Sequence, residues 1–179
     1  MACISKLASA IVYDCDSGAT GLVSALIINK SDIKSFTSDE SGVVSITLAP
    51  EAKAYKIDTV KRSLVLSTAL KINDGAPNAN THTATMTVTY ADQTSKLSSM
   101  MGAFTNGSFV IVAKTANSSA RAGVYGLYYG LRATAIDRSS HDNGGWTTIT
   151  LETPENVIGE DTCFMEVGPY KALLDAAVG

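Results

Sequence analysis

Residues 83–90 read TATMTVTY, with threonine at every odd position. A two-residue period puts Ala84, Met86, Val88 and Tyr90 on one face. Thr83, Thr85, Thr87 and Thr89 fall on the other, which predicts a half-buried antiparallel strand. The spacing then changes. Leu97, Met100, Met101 and Phe104 sit at i, i+3, i+4 and i+7, a single stripe of a helix. Asp92 or Thr94 is placed to cap its start, and Gly107 to end it in the left-handed conformation. FVIVAK at 109–114 resumes as a short apolar strand. The spacing alone predicts strand, helix, strand.

The flanking segments continue the β pattern. GLVSALIINK predicts a strand with Val23, Ala25 and Ile27 opposite Leu22, Leu26 and Ile28. VVSITLAP alternates Val44, Ile46 and Leu48 against Ser45 and Thr47, and SLVLSTALKI groups Leu64, Leu66, Leu70 and Ile72. GVYGLYYGLRATAIDR reads as one long strand or two, with Gly123, Gly126 and Gly130 expected at bulges or bends. SSHDNGGW reads as a hairpin turn, WTTITLET as its return strand and CFMEVG as a last strand. KALLDAA is a candidate short second helix. SFTSDESG at 35–42 is expected as a polar loop, and NDGAPNANTH at 73–82 as a turn-rich one.

The fold class that follows is mainly β: an antiparallel sandwich or barrel with one packed α-helix. The chain of 179 residues suits a single domain spanning 1–179, with an N-terminal arm and a short C-terminal tail. A domain of that size buries roughly 70% of its unfolded surface.

Composition narrows the function. Fourteen basic against 17 acidic residues give a net charge of −3, which offers no broad attraction to nucleic acid. Only 17% of residues are charged, so Ser, Thr, Ala and Gly dominate the polar surface, as suits faces that meet other proteins. Three cysteines, Cys3, Cys15 and Cys163, lack framework spacing and read as reduced thiols, with a Cys3–Cys15 disulfide as the alternative. The first fifteen residues lack the features of a secretory signal, and no stretch reaches the ~20 apolar residues of a membrane span. A cytoplasmic site of synthesis is expected.

Chemistry is sparse. His82 and His141 lie in expected loops, and the SSHD stretch cannot form a triad, which needs side chains converging from a scaffold. DCDSG at 14–18 opens like a calcium loop, but the position of the bidentate acid is Ala25. Cys163 and the histidines lack zinc spacing. The glycines at 123, 126 and 130 are not followed by Gly-Lys-Ser/Thr, so they form no phosphate loop. Tyr125, Tyr128 and Tyr129 with Arg121 and Arg132 could stack nucleobases, but without a basic cluster they read as core or interface aromatics. No catalytic residue, metal ligand or cofactor site is assigned. The expectation is a protein that is not an enzyme.

Residues 83–167 resemble the tail tube proteins of tailed bacteriophages and the related ring proteins of phage necks. The residues that carry this are the strand ending at Tyr90, the helix SKLSSMMGAF, TNGSFVIVAK, the YGLYYGLRATAIDR strand and NGGWTTITLETPE. YDCDSGATGLVSALIINKSDI is similar to ring proteins of crAss-like phages. The resemblance implies a sandwich or barrel whose copies join in a sixfold or twelvefold ring around a channel for DNA. Residues 29–42, 73–82 and both termini would grip adjacent layers. Implied partners are further copies, adjacent portal, neck or tail proteins, and DNA in transient, non-specific passage. The implied location is the virion, after assembly in the host cytoplasm. Physics favours the same picture, because an open sheet edge is a hazard in a monomer and a joint in a closed ring. The competing expectation is a secreted or surface β-sandwich binding module, with Trp146 and Tyr125–Tyr129 as the aromatics to test.

Overall fold

A computed structural model describes residues 21–57, 64–71, 79–88, 95–116, 121–138, 147–155 and 163–178. The architecture is mainly β and antiparallel, with two helices. A five-stranded sheet runs through the centre. Its strands are β1 (Leu22–Asn29), β4 (Tyr55–Ile57), β7 (Phe109–Thr115), β8 (Arg121–Tyr125) and β11 (Cys163–Glu166), in the order β11-β8-β7-β1-β4. A four-stranded outer sheet has the order β5-β6-β10-β9. It is built from β5 (Leu64–Lys71), β6 (Ala79–Val88), β9 (Arg132–Arg138) and β10 (Thr147–Glu152). β2 (Ile33–Ser38) and β3 (Val44–Leu48) form a separate hairpin; α1 is Ser95–Asn106 and α2 is Val167–Ala176.

The central sheet is buried on both faces, which is why β1 and β7 are nearly unbroken apolar runs. Leu26, Ile28, Val110, Val112, Val124 and Met165 face the β2–β3 hairpin and Tyr170 of α2. Ala25, Phe109, Ile111 and Ala113 face Ala84, Met86, Ile149 and Leu151 of the outer sheet. Met101 and Phe104 of α1 close one side of that second core, and the Phe104 and Phe109 rings meet at 5.1 Å. Fully burying an aliphatic side chain of this kind stabilises by about 1.5–3 kcal/mol.

The predicted β1 alternation holds except at one residue. A bulge between Leu22 and Ser24 makes Val23 the extra residue, so Leu22 joins the same core as Ala25 instead of the opposite one. Ser24 keeps the face of Leu26 and Ile28, where its hydroxyl and that of Tyr170 hydrogen-bond at 2.7 Å.

Two other expectations need correction, and a third holds in part. Residues 35–42 are not all loop: β2 continues to Ser38, because Ile33 and Phe36 pack onto the core while the polar residues between them face out. A short turn remains, where Asp39 Oδ1 accepts from the amides of Ser41 and Val43, both at 2.8 Å, and Gly42 takes φ 73°. Gly107 ends α1 without a positive φ. Glycine is needed there for space, since a Cβ would lie 2.4 Å from the Phe109 ring and 2.6 Å from the Ala103 carbonyl oxygen. Of the bulges or bends expected at Gly126 and Gly130 the structure shows a bend, in a turn between two strands instead of within one. With φ 79° and 74° the two glycines bracket a five-residue reversal closed by the Gly130 amide donating to the Gly126 carbonyl at 2.9 Å. That turn carries the chain from the central sheet to the outer one.

Candidate assembly surface

The outer sheet turns one face to the core and leaves the other uncovered by any described element. The TATMTVTY reading holds where side chains are described: Ala84 and Met86 are buried, while Thr83 and Thr85 face outward. Val88 and Thr87 keep the expected register, and Thr89 and Tyr90 lie outside the described residues. β10 repeats the pattern, burying Thr147, Ile149 and Leu151 and turning Thr148, Thr150 and Glu152 outward.

Pairing sets these side chains in rows across four strands. One row runs Val65, Thr85, Thr150, Ala135, and the next runs Ser67, Thr83, Glu152, Arg132. Glu152 and Arg132 stand directly opposite each other in the second row. With strands ~4.8 Å apart, the face is roughly 15 Å wide. It is small and hydroxyl-rich, and carries Asp137, opposite Thr148, besides Glu152 and Arg132.

The sheet edges differ from this pattern of closure. On the central sheet, the β4 edge is covered by Val178, whose amide donates to the Ala54 carbonyl while its own carbonyl accepts from Lys56 N, both at 2.9 Å. The β11 edge is covered at Val43, where Phe164 N donates to the Gly42 carbonyl at 2.9 Å. On the outer sheet, no strand among the described residues pairs with the far side of β5 or of β9. β5 is an exposed edge strand along Val65, Ser67, Thr68 and Ala69, and Val65 is 50% exposed. α1 packs beside β9.

His82 is the largest departure from the sequence reading. It lies in β6 and not in a loop, and is 1% exposed between the two sheets. Its Nδ1 and the Thr68 hydroxyl are 2.9 Å apart, and its ring meets Tyr125 edge-on with centroids 5.4 Å apart. The His82 amide donates to Thr153 Oγ1 at 2.9 Å and its carbonyl accepts from the Thr153 amide at 3.0 Å. These bonds extend the β6–β10 ladder by one step, so His82 acts as an interior tie. Burial raises the pKa of the Tyr125 hydroxyl above its ordinary value. His141 and Trp146 lie outside the described residues, as do Cys3, Cys15 and 73–78 of the expected 73–82 loop.

The tyrosines weighed together for stacking are separated. Tyr125 packs inward, over Gly123, whose Cβ would approach its ring to 3.0 Å. Tyr128 and Tyr129 stand out from the Gly126–Gly130 turn, and Tyr128 meets the Phe36 ring edge-on at 5.4 Å. Lys30 holds the same turn by donating to the Leu127 carbonyl and lies 5.2 Å from the Phe36 ring centre.

A cleft of about 300 Å³ opens between Ala113, Thr115, Arg121, Gly123, Tyr125 and Phe164. Arg121 at its rim pairs with Glu166 at 3.0 Å, a half-exposed ion pair of small energetic weight. Among the described residues no three His, Cys, Asp or Glu side chains gather into a metal-binding group. No described helix is long and apolar enough to cross a membrane. Comparisons with protein-family models, with curated proteins and with solved structures return no match to this chain.

Proposed function

We propose that this chain is a non-enzymatic structural subunit of a virion, forming a closed ring of the tail tube or neck around a channel for genome passage. Copies join edge to edge, β5 of one beside β9 of the next, so that the outer sheets run together into one continuous barrel. The observation that carries this reading is the contrast in edges: both edges of the central sheet are bridged, whereas among the described residues β5 has no partner strand on its outer side and the outer side of β9 is met by a bridge only at its start, where Leu131 pairs with Phe109. A contact between two different edges is heterologous and closes when the rotation between copies divides the circle.

The uncovered threonine face then lines the channel. Hydroxyls outnumber the charged Glu152, Arg132 and Asp137 on this face, which makes a wet wall without a basic cluster. Every phosphate that a protein neutralises adds salt-dependent affinity, so a wall without a basic cluster lets DNA pass without being held. The sixfold or twelvefold count and the neighbouring portal, neck or tail proteins come from the sequence resemblance.

The test is negative-stain electron microscopy of the purified protein across a concentration series. Closed rings or tubes are expected. Dispersed single particles at the highest concentration would overturn the reading.

A further inference from the structure

We propose that Val178 is an edge guard. Its backbone occupies the pairing groups of β4, and it thereby keeps further copies of this chain from adding to the central sheet. The inference extends the ring reading, although its test does not require a ring.

An unpaired strand presents a row of amides and carbonyls on which another chain can build. β4 is such a strand. Its inner side pairs with β1 through Ala25–Ile57, Leu26–Lys56 and Ile27–Tyr55. Its outer side offers the Ala54 carbonyl and the Lys56 amide, and Val178 takes both, in a parallel bridge opposite Tyr55. Tyr55 is 44% exposed, so without Val178 the strand would show an aromatic ring beside unpaired backbone groups.

The guard is carried by α2. Tyr170 anchors that helix in the core through Ser24, Leu173 and Leu174 pack behind it, and the Ala177 amide turns back to the Leu174 carbonyl. Extended backbone at Ala177 then sets Val178 alongside β4. The β11 edge is met in the same manner, by one parallel bridge at Val43. Both bridges are single residues, enough to occupy an edge and too short to form a strand of their own. A closed ring needs this asymmetry, because a third or fourth sticky edge would branch it into open aggregates.

The occupant that replaces Val178 when it is lost is β4 of a second copy. Val178→Pro removes the amide that donates to Ala54, and deletion of 178–179 removes both bonds. In each variant the Lys56 amide should exchange with deuterium at least tenfold faster than in the parent at low concentration. Sedimentation velocity should show species larger than any the parent forms, growing with concentration. Adding Lys56→Pro, which deletes the outward amide on an edge strand where proline is tolerated, should return the sedimentation to that of the parent.

Parent-like sedimentation and Lys56 exchange in both variants would overturn the proposal, as would association that persists with Lys56→Pro. Loss of the far-ultraviolet circular dichroism signal in both variants would also overturn it, by making Val178 a requirement of folding. A parent that stays monomeric defeats the ring reading and leaves this comparison intact.

Discussion

β6 and β7 are successive strands joined through α1, yet one runs THTATM where the other runs FVIVA. The difference records what each strand touches. β7 sits in the middle of the central sheet with a core on either side, so every position from Phe109 to Ala113 is buried. Among the described residues β6 has a core on one side only, and the half-buried Thr83 and Thr85 face the other. Edges follow a similar division, since the doubly covered sheet is bridged at both ends, whereas among the described residues no strand pairs with the outer side of β5. Inner strands build the molecule, and outer strands present it.

The sharpest way to break the comparison is to truncate each sheet at matched positions. Ile111→Ala removes a fully buried side chain from the central sheet. The expected loss is about 2–5 kcal/mol by urea denaturation, as the surrounding layers cannot collapse into the gap from both sides. A loss below about 1 kcal/mol would show that the central sheet is not packed as described.

Next in size is the turn that joins the sheets. Gly126→Ala places a Cβ 2.7 Å from Leu131 Cγ and 2.9 Å from the Phe109 carbonyl oxygen, at φ 79°. The strained backbone alone costs of order 1–3 kcal/mol. The clash also strikes the Phe109–Leu131 bridge, where each amide donates to the other residue's carbonyl. A thermal unfolding midpoint unchanged from the parent would mean that the turn does not hold the two sheets in register.

Much of this division was legible in the residues. TATMTVTY and WTTITLET announce a half-buried sheet by period alone, and the Met101–Phe104 stripe announces the helix that closes it. Other features were hidden for physical reasons. β2 is polar at most positions and depends on Ile33 and Phe36 reaching a core made by distant strands. His82 follows a glycine- and asparagine-rich stretch, yet pairing with Thr68 across the strands and Thr153 beyond β10 draws it inward. Gly126 and Gly130 sit in a run that reads as strand, and only their positive φ marks the reversal. The Val178 bridge consists of backbone bonds, which leave no mark on side-chain pattern.

A smaller effect tests how α2 is held. Tyr170→Phe removes the hydroxyl bonded to Ser24 and should cost about 0.5–1.5 kcal/mol. Burial raises the Tyr170 pKa above 10.0, and the Ser24 bond opposes that only in part. Tyr125 is shifted the same way by burial. Between the unfolded and folded values the folded protein holds more protons, so stability is fully present below pH 10 and falls as pH rises beyond it. Tyr170→Phe should flatten that alkaline decline in urea midpoints, and a slope equal to the parent's would show that Tyr170 ionises as freely folded as unfolded.

The smallest effect is the most telling about the outer face. Thr85→Ala alters a side chain that looks away from the core, beside Val65 and Thr150. Its cost to the isolated subunit should fall within about 0.5 kcal/mol, the usual range for surface changes. A β-branched residue gives up some strand preference on becoming alanine, and no packing is lost beneath it. A loss as large as that of Ile111→Ala would mean the threonine face is covered by the chain itself. The wall proposed for a channel would then be interior. The near-neutral outcome, measured beside Ile111→Ala under one set of conditions, is what separates a surface kept open from a core that happens to contain hydroxyls.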